Sequence, residues 1–240
     1  MEQKQIIDQI VKSLELLIDE KKVEALPKFF KAFPGGYGEG DHFLGVTVPN
    51  IRLVAKEAYL SCDIDVIQKL LTNKYHEVRM CALIIMLHHY TKKQIPKDQI
   101  IETYIHHLDY VNNWDLVDTS CYKLLGRHIY DGRMSSDILF ELTKSGELWR
   151  ERVSVVATMY FIKKDDYDIA FKLCEYHLGH QHDLMHKAVG WMLKEIGKRN
   201  EEAEIKFLDE HYKKMSRTTL RYAIEKMDER IRQSYLKGEI

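Results

Sequence analysis

Proline, glycine and cysteine are scarce in this chain of 240 residues, which contains 4, 12 and 4 of them respectively. Proline and glycine interrupt regular secondary structure, so their rarity favours long helices. The cysteines are far apart and form no CxxC pair; they are Cys62, Cys81, Cys121 and Cys174. That spacing is typical of small buried thiols in a reducing cytoplasm.

Long apolar runs and a strong net charge are missing as well. No apolar run approaches the roughly 18 residues of a membrane span, and the polar start MEQKQIIDQI does not resemble a secretory signal. A net charge of −1 argues against non-specific nucleic-acid binding by the whole surface, but charged residues make up 30% of the chain and a local basic stripe is possible. We therefore expect a cytoplasmic protein without membrane contact.

Apolar residues recur at spacings of three and four along most of the chain, for example over residues 6–18. This spacing predicts amphipathic helices, and no segment alternates convincingly as a strand. The exception is FPGGYGEGDHFLGVTVPN, residues 33–50, which holds two of the four prolines and five of the twelve glycines. It predicts a loop, with a helix starting near Asn50 after Pro49.

Five helical segments share one pattern, in which a polar or charged residue precedes two turns of small and apolar residues. The shared polar positions are Arg79, Asp118, Arg152, Lys187 and Arg221. By subtraction they are 39, 34, 35 and 34 residues apart, and a self-similar period of this size is typical of helical solenoids. We therefore predict an all-α, curved solenoid of HEAT-like helical hairpin repeats, forming a single domain over residues 1–240.

The second helices of such hairpins line one face, where equivalent positions stack into a row. Arg79, Arg152, Lys187 and Arg221 would then form a basic row suited to a phosphate backbone, interrupted by Asp118. An alternative interpretation is that each residue caps or solvates only its own helix. No Walker loop, Rossmann fingerprint or GxSxG motif offers a competing site.

All three tryptophans lie within about one helical turn of this row. Trp114 precedes Asp118 by four residues, Trp191 follows Lys187 by four, and Trp149 is close to another member. Core packing is the favoured role for Trp149, whereas Trp114 and Trp191 share a face with polar residues. Aromatic faces and a carboxylate beside a basic groove suit a cationic group next to DNA, because tryptophan binds cations well and a carboxylate can stabilise positive charge or orient water.

Several stretches resemble the AlkD-type family of DNA alkylation repair proteins, which are HEAT-like-repeat alkylpurine DNA glycosylases. They are YGEGDHFLGVTVPNIR, YHEVRMCALIIM, NWDLVD, WRERVSVV and HDLMHKAVGWMLKEIGK. These stretches are spread over most of the chain in the family's order. The WDxVD and KAxGWxLxE patterns are the most specific of them.

The resemblance implies hydrolysis of the N-glycosidic bond of positively charged N3- and N7-alkylated purines in duplex DNA. It implies that Asp118 is catalytic, stabilising the sugar cation and positioning water, with Trp114 and Trp191 in the cleft. It also implies that Arg152 holds a backbone phosphate, and that the lesion need not enter a deep pocket. Tyr37 is a candidate DNA contact, with packing of its own loop as the alternative.

No metal or cofactor is expected, because the leaving base is already charged and water is the nucleophile. His182 and His186 have the spacing of zinc ligands on a helix, but no acidic partner arrangement such as HExxH accompanies them. Glu151 stands where relatives often carry a cation, and its charge would repel a nearby phosphate. The alternative function is a non-catalytic solenoid that binds DNA or a protein, and in either case we expect a monomer.

Overall fold

A computed structural model describes residues 2–92 and 94–240 of the chain. These residues form sixteen α-helices, several 3₁₀ turns and one π-helical turn, and their only bridge between extended segments joins His42 to Tyr75. The prediction of an all-α fold is confirmed. The chain divides into two compact units, one ending at Ser120 and the other beginning at Cys121.

The first unit is built around one long central helix. Its helices are α1 (Gln3–Glu15), α2 (Glu20–Phe29), α3 (Val48–Ala58), α4 (Ile64–Leu71), α5 (His76–Lys92), α6 (Lys97–His106) and α7 (Trp114–Ser120). α5 packs against α3, α4 and α7, and every residue from His76 to Met86 is buried. A helix buried on all its faces belongs to the core, so α5 forms the centre of this unit.

The second unit begins with a π-helical turn over Tyr122–Gly126. Its helices are α8 (Arg127–Tyr130), α9 (Asp137–Thr143), α10 (Leu148–Ala157), α11 (Met159–Ile162), α12 (Asp168–Tyr176), α13 (Asp183–Gly197), α14 (Glu201–His211), α15 (Arg217–Ala223) and α16 (Glu229–Lys237). α13 packs against α10, α14 and α15 and so takes the central position here.

The five segments with the repeated polar position lie in α5, α7, α10, α13 and α15. Within the first unit α5 packs against α7, and within the second α10 packs against α13 and α13 against α15. Within each unit, equivalent helices of successive repeats therefore lie side by side, as expected for helical hairpin repeats.

Helix starts follow local sequence signals. The side chains of Asp63 and Ser216 accept hydrogen bonds from backbone N–H groups in the first turns of α4 and α15. α3 begins at Val48, two residues before the predicted start at Asn50. The reason is that Pro49 is accommodated in the first turn, where its missing N–H is not needed.

No helix among the described residues is both long enough and apolar enough to cross a membrane. Each of the four cysteines is a buried thiol, as predicted from their spacing. Burial raises the pKa of Cys62, Cys81 and Cys174 to about 12, so these thiols stay protonated and unreactive near neutral pH.

Candidate active site

Trp114 opens α7 with its ring against two phenylalanines at the C-terminal end of α2. Its ring centroid lies 5.5 Å from that of Phe30 and 5.9 Å from that of Phe29, the second pair edge-to-face. Aromatic pairs of this kind contribute about 0.5–1.5 kcal/mol beyond burial. Phe29 is 61% exposed and Trp114 is half-buried, so the cluster presents aromatic surface to solvent.

Asp118 lies one turn after Trp114 on the same face of α7. Both side chains are half-buried. The first unit therefore holds, on one short helix, the aromatic ring and the carboxylate that the sequence analysis assigned to catalysis. Together they can face a cationic group, since the ring face and the carboxylate both attract positive charge.

A buried network of ionisable side chains lies next to the aromatic cluster. The ring of His76 lies 4.8 Å from that of Phe43 and 4.9 Å from that of Phe30. Its Nδ1 is 2.9 Å from Asp41 Oδ2, and its Nε2 is 2.8 Å from Asp115 Oδ2. Carboxylates at both ring nitrogens favour the imidazolium form, whose two N–H groups donate to the two acids.

The charges of the side chains in this network stabilise one another. Burial alone would lower the pKa of His76, but hydrogen bonds to Asp115 and Asp41, with the charges of both acids, raise it to about 9. Burial alone would raise the pKa of Asp41, but the hydrogen bond from His76 and the charge of Arg79 hold it below its usual value. His76 and Asp41 are therefore both ionised at neutral pH.

Arg79 was predicted to bind DNA, and the structure gives it a different role. It is 4% exposed. All five of its N–H groups donate within the first unit, to the carbonyl oxygens of Asn73, Lys74 and Tyr110 and to the side chains of Asp41 and Asn112. A phosphate contact would break several buried hydrogen bonds at once. The structure therefore does not support a DNA contact for Arg79, which instead anchors the segments around the candidate site.

The glycine-rich loop of residues 33–47 is fastened to α5. The Glu77 carboxylate accepts hydrogen bonds from the backbone N–H groups of residues 44–46, at 2.8–3.2 Å. At Gly38 a Cβ atom would lie 2.3 Å from the carbonyl oxygen of Phe30. Glycine at this position thus allows the loop to pack directly on the aromatic cluster.

Tyr37 is half-buried in the same loop. Its hydroxyl donates to the carbonyl oxygen of Phe29 at 3.3 Å, and Lys31 Nζ lies 5.5 Å from its ring centroid. This geometry favours the alternative that Tyr37 packs its own loop, and it also brings the ring close to the end of α2.

The predicted cations of the second unit differ in exposure. Arg152 is 4% exposed in α10, and its guanidinium donates to the carbonyl oxygen of Leu184 in α13. Lys187 is half-buried and paired with Asp183 at 2.8 Å, whereas Arg221 is exposed on α15. A phosphate contact by Arg152 therefore requires its guanidinium to exchange part of this hydrogen bonding.

Trp191 is half-buried on α13. Its Nε1 donates to Glu195 Oε1 at 3.2 Å, and Lys198 Nζ donates to the same oxygen at 2.6 Å. The preceding Gly190 lies against α15, where a Cβ atom would come within 2.5 Å of Tyr222 Cβ. The glycine of the KAVGW stretch is therefore required by the close packing of α13 on α15.

The histidines near the start of α13 serve local structure. His182 accepts a hydrogen bond from the Leu184 N–H at the first turn, and His186 Nε2 bonds to the carbonyl oxygen of His180. These two side chains therefore act in capping and packing.

A further cluster in this region has metal-ligand atoms in reach of one another. Those of Glu151, His177 and His180 lie within 4.8 Å. However, His180 Nδ1 accepts the His182 N–H at 2.9 Å, so the ring proton sits on Nε2 and donates to Glu151 Oε2 at 2.8 Å. A metal ion on Nε2 would force that proton onto Nδ1, against the N–H of His182. This hydrogen bond also occupies the carboxylate of Glu151, which was expected to repel a nearby phosphate.

The sequence analysis missed the residues that surround Trp114. Phe29 and Phe30 end a helix with no distinctive motif, and Asp41 lies in a loop whose path cannot be derived from its glycines. One available signal was His76 at the start of a helix whose following turns are mostly apolar. An ionisable residue in such a position needs a partner.

Comparisons with known proteins agree with the fold and with the motifs. A family model described as DNA alkylation repair enzyme matches residues 10–227. A solved structure described as a predicted DNA alkylation repair enzyme from Enterococcus faecalis has a TM-score of 0.69 and 16% identity to this chain. The match covers 88% of this chain and 97% of that one. No curated protein matches the chain. The likeness to the solved structure shows the fold, and the family match includes α7, α10 and α13.

Proposed function

Because the chain belongs to the family of DNA alkylation repair enzymes, we propose that it is a monofunctional DNA glycosylase. Its substrate is duplex DNA containing N3- or N7-alkylated purines. It removes the damaged base, which is the first step of base excision repair. It acts as a monomer in the cytoplasm, associated with the nucleoid when bound, and as a single HEAT-like domain. The observation that carries the proposal is the half-buried Trp114–Asp118 pair on one face of α7.

The proposed chemistry needs only water and the protein. An alkylated purine carries a positive charge, so the electrons of the breaking C1′–N bond neutralise the departing base. Positive charge then develops on the sugar, where the Asp118 carboxylate stabilises it and orients the water that attacks C1′. One preorganised group of this kind is worth about 10²–10³ in rate.

Trp114 supplies the second interaction with the cationic nucleotide. Its ring is braced on one side by Phe30 and Phe29, so it keeps its orientation when a cation approaches. A cation over a tryptophan face gains about 0.5–2 kcal/mol, depending on how far it is desolvated. A neutral purine gains none of this, which gives the site a preference for charged lesions.

DNA binding is assigned to residues of the second unit. Trp191 packs against deoxyribose, and Arg152, Lys187 and Arg221 contact backbone phosphates. Arg221 is exposed as it stands, whereas Lys187 exchanges Asp183 for phosphate and Arg152 gives up part of its bonding to α13. Phosphate contacts of this kind position the protein without reading sequence.

The experiment that tests the proposal compares wild type with Asp118→Asn. Release of N7-methylguanine or N3-methyladenine from alkylated duplex DNA is measured in single turnovers, together with binding to the same DNA. We expect the Asp118→Asn variant to bind normally and to lose about 10²–10³ in rate. Asp168→Asn, which changes an exposed acid in the first turn of α12, is the matched control and keeps wild-type activity.

The alternative is a non-catalytic solenoid that binds DNA or a protein partner. It predicts that wild type releases no base, or that the Asp118→Asn substitution leaves the release rate unchanged. Either result would remove the catalytic role of Asp118.

A further inference from the structure

We propose that His76 is a positioning residue for this reaction. Clamped between Asp41 of the glycine-rich loop and Asp115 of α7, it sets the orientation of Trp114 and, through α7, of Asp118. The inference rests on the proposed function for its consequence in catalysis. The mechanical link between His76 and Trp114 is a separate claim that can be measured without turnover.

The first link runs through the backbone of α7. Asp115 directly follows Trp114, its Oδ1 accepts the Leu116 N–H at 2.8 Å and its Oδ2 is bound by His76. α7 has seven residues, and a helix of two turns has little stability of its own. Its orientation therefore depends on contacts such as the one His76 makes with its first turn.

The second link runs through the aromatic rings. Phe30 lies 4.9 Å from the His76 ring and 5.5 Å from the Trp114 ring, and it stacks on Phe43 at 5.2 Å. Displacement of the imidazole would thus shift the ring that supports Trp114. Aromatic groups in close contact transmit such a shift because close packing limits the independent movement of neighbouring rings.

The third link reaches the glycine-rich loop. The backbone N–H of His76 donates to the His42 carbonyl oxygen at 2.8 Å, and its side chain binds the neighbouring Asp41. One residue at the start of α5 therefore fixes both the loop and the catalytic helix. Substitution of His76 should affect these two segments together.

The electrostatic surroundings explain why histidine suits this position. Asp41, Asp115 and Arg79 carry the charges around the imidazole, while the carboxylate of Glu77 is turned to the loop backbone. A side chain that bridges Asp41 and Asp115 must be a cation with N–H donors at opposite ends, which the imidazolium provides. A glutamine has donors on a single nitrogen and cannot bridge two carboxylates on opposite sides.

The test uses His76→Gln, with His89→Gln as matched control. His89 is a second buried histidine of α5, and its ring lies 5.6 Å from Tyr59, away from the two aspartates. In single turnovers we expect His76→Gln to lose about 10- to 100-fold in rate while its affinity for the same DNA changes less than about twofold. The control should keep the wild-type rate. Asp115→Asn should resemble His76→Gln.

A pH series separates positioning from general loss of structure. The pKa of His76 is raised to about 9. The imidazolium therefore bridges Asp41 and Asp115 at neutral pH, and this bridge is lost as pH rises through that value. The ratio of the wild-type to the His76→Gln rate, in which effects of pH on the DNA cancel, should fall towards one above pH 9. A constant ratio would mean that the charge of His76 does not act on the reaction.

The link itself is measured on DNA-free protein by the indole ¹H–¹⁵N signal of Trp114, assigned with Trp114→Phe. We expect this signal to shift in wild type as His76 deprotonates and to stay fixed with pH in His76→Gln. An inactive wild type would overturn the proposed function, and the indole signal would still decide the link. An active enzyme with an unaffected His76→Gln rate, or an indole signal indifferent to His76, would overturn the inference alone.

Discussion

At the scale of single residues, the protein keeps ionisable side chains in its interior in two ways. His76 is paired on both sides with acids and stays charged. Glu204 is 2% exposed, and its Oε1 has no hydrogen-bond partner among the described residues. Burial, with a smaller effect from the charge of Glu201, raises the pKa of Glu204 to about 8. A lone buried carboxyl group avoids the cost of a buried charge by holding its proton.

Glu204→Gln should therefore stabilise the protein at alkaline pH. The pKa of Glu204 in the folded protein is above its ordinary value of 4.5. The stability that its protonated form contributes is therefore present in full below pH 4.5 and is lost as pH rises through about 8. An uncharged amide escapes this loss. We expect a gain on the order of 2–4 kcal/mol in the free energy of unfolding at pH 9 and little change at pH 5, measured by urea denaturation.

The exposed neighbour provides the control for this prediction. Glu202→Gln removes a charge from the same helix at an exposed position and should leave stability nearly unchanged at both pH values. Equal stability of Glu204→Gln and wild type at pH 9 would show that burial does not raise the pKa of Glu204 in the folded protein.

At the scale of elements, the packing of α13 on α15 depends on the absence of a side chain at Gly190. A Cβ atom would lie 2.5 Å from Tyr222 Cβ and 2.6 Å from the Thr219 carbonyl oxygen. Gly190→Ala should push the helices apart and cost about 1–3 kcal/mol in the free energy of unfolding. Gly179→Ala, where the added atom meets nothing within 4 Å, should be nearly neutral, and thermal unfolding of the two variants makes the comparison.

The helices and their repeat could be predicted because both follow from the spacing of residues along the sequence. Apolar periodicity identifies each helix, and a recurring polar position places equivalent helices side by side. The site was predictable only as far as residues sharing one helix, such as Trp114 and Asp118. The predicted start of α3 was two residues late. Pro49 was expected to precede the helix, but a proline is also accommodated within the first turn.

The partners that come from distant segments could not be predicted. His76 meets Asp41 and Asp115, which lie 35 and 39 residues away, and their meeting depends on the path of a loop. The burial of Arg79 could not be predicted for a related reason. Alignment of repeats gives the position of a residue along a helix, but it does not reveal that acceptors from three other segments will surround its guanidinium.

At the scale of the whole molecule, a net charge of −1 means that the DNA affinity we propose must come from a few local cations. Arg152→Ala should weaken DNA binding and lower the slope of log K against log salt concentration by about one phosphate contact. Lys206→Ala, an exposed cation on α14, should leave the slope unchanged. An unaltered slope for the Arg152 variant would mean that its guanidinium keeps its hydrogen bond to α13 in the DNA complex.

The central claim is that the protein removes bases whose positive charge makes them good leaving groups. It is tested most directly by incubating wild type with duplexes that carry either N7-methylguanine or the neutral base hypoxanthine, and measuring the free base released. We expect release of N7-methylguanine in single turnovers, no release of hypoxanthine and no strand cleavage. Failure to release the cationic base, or equal release of the neutral one, would contradict the account.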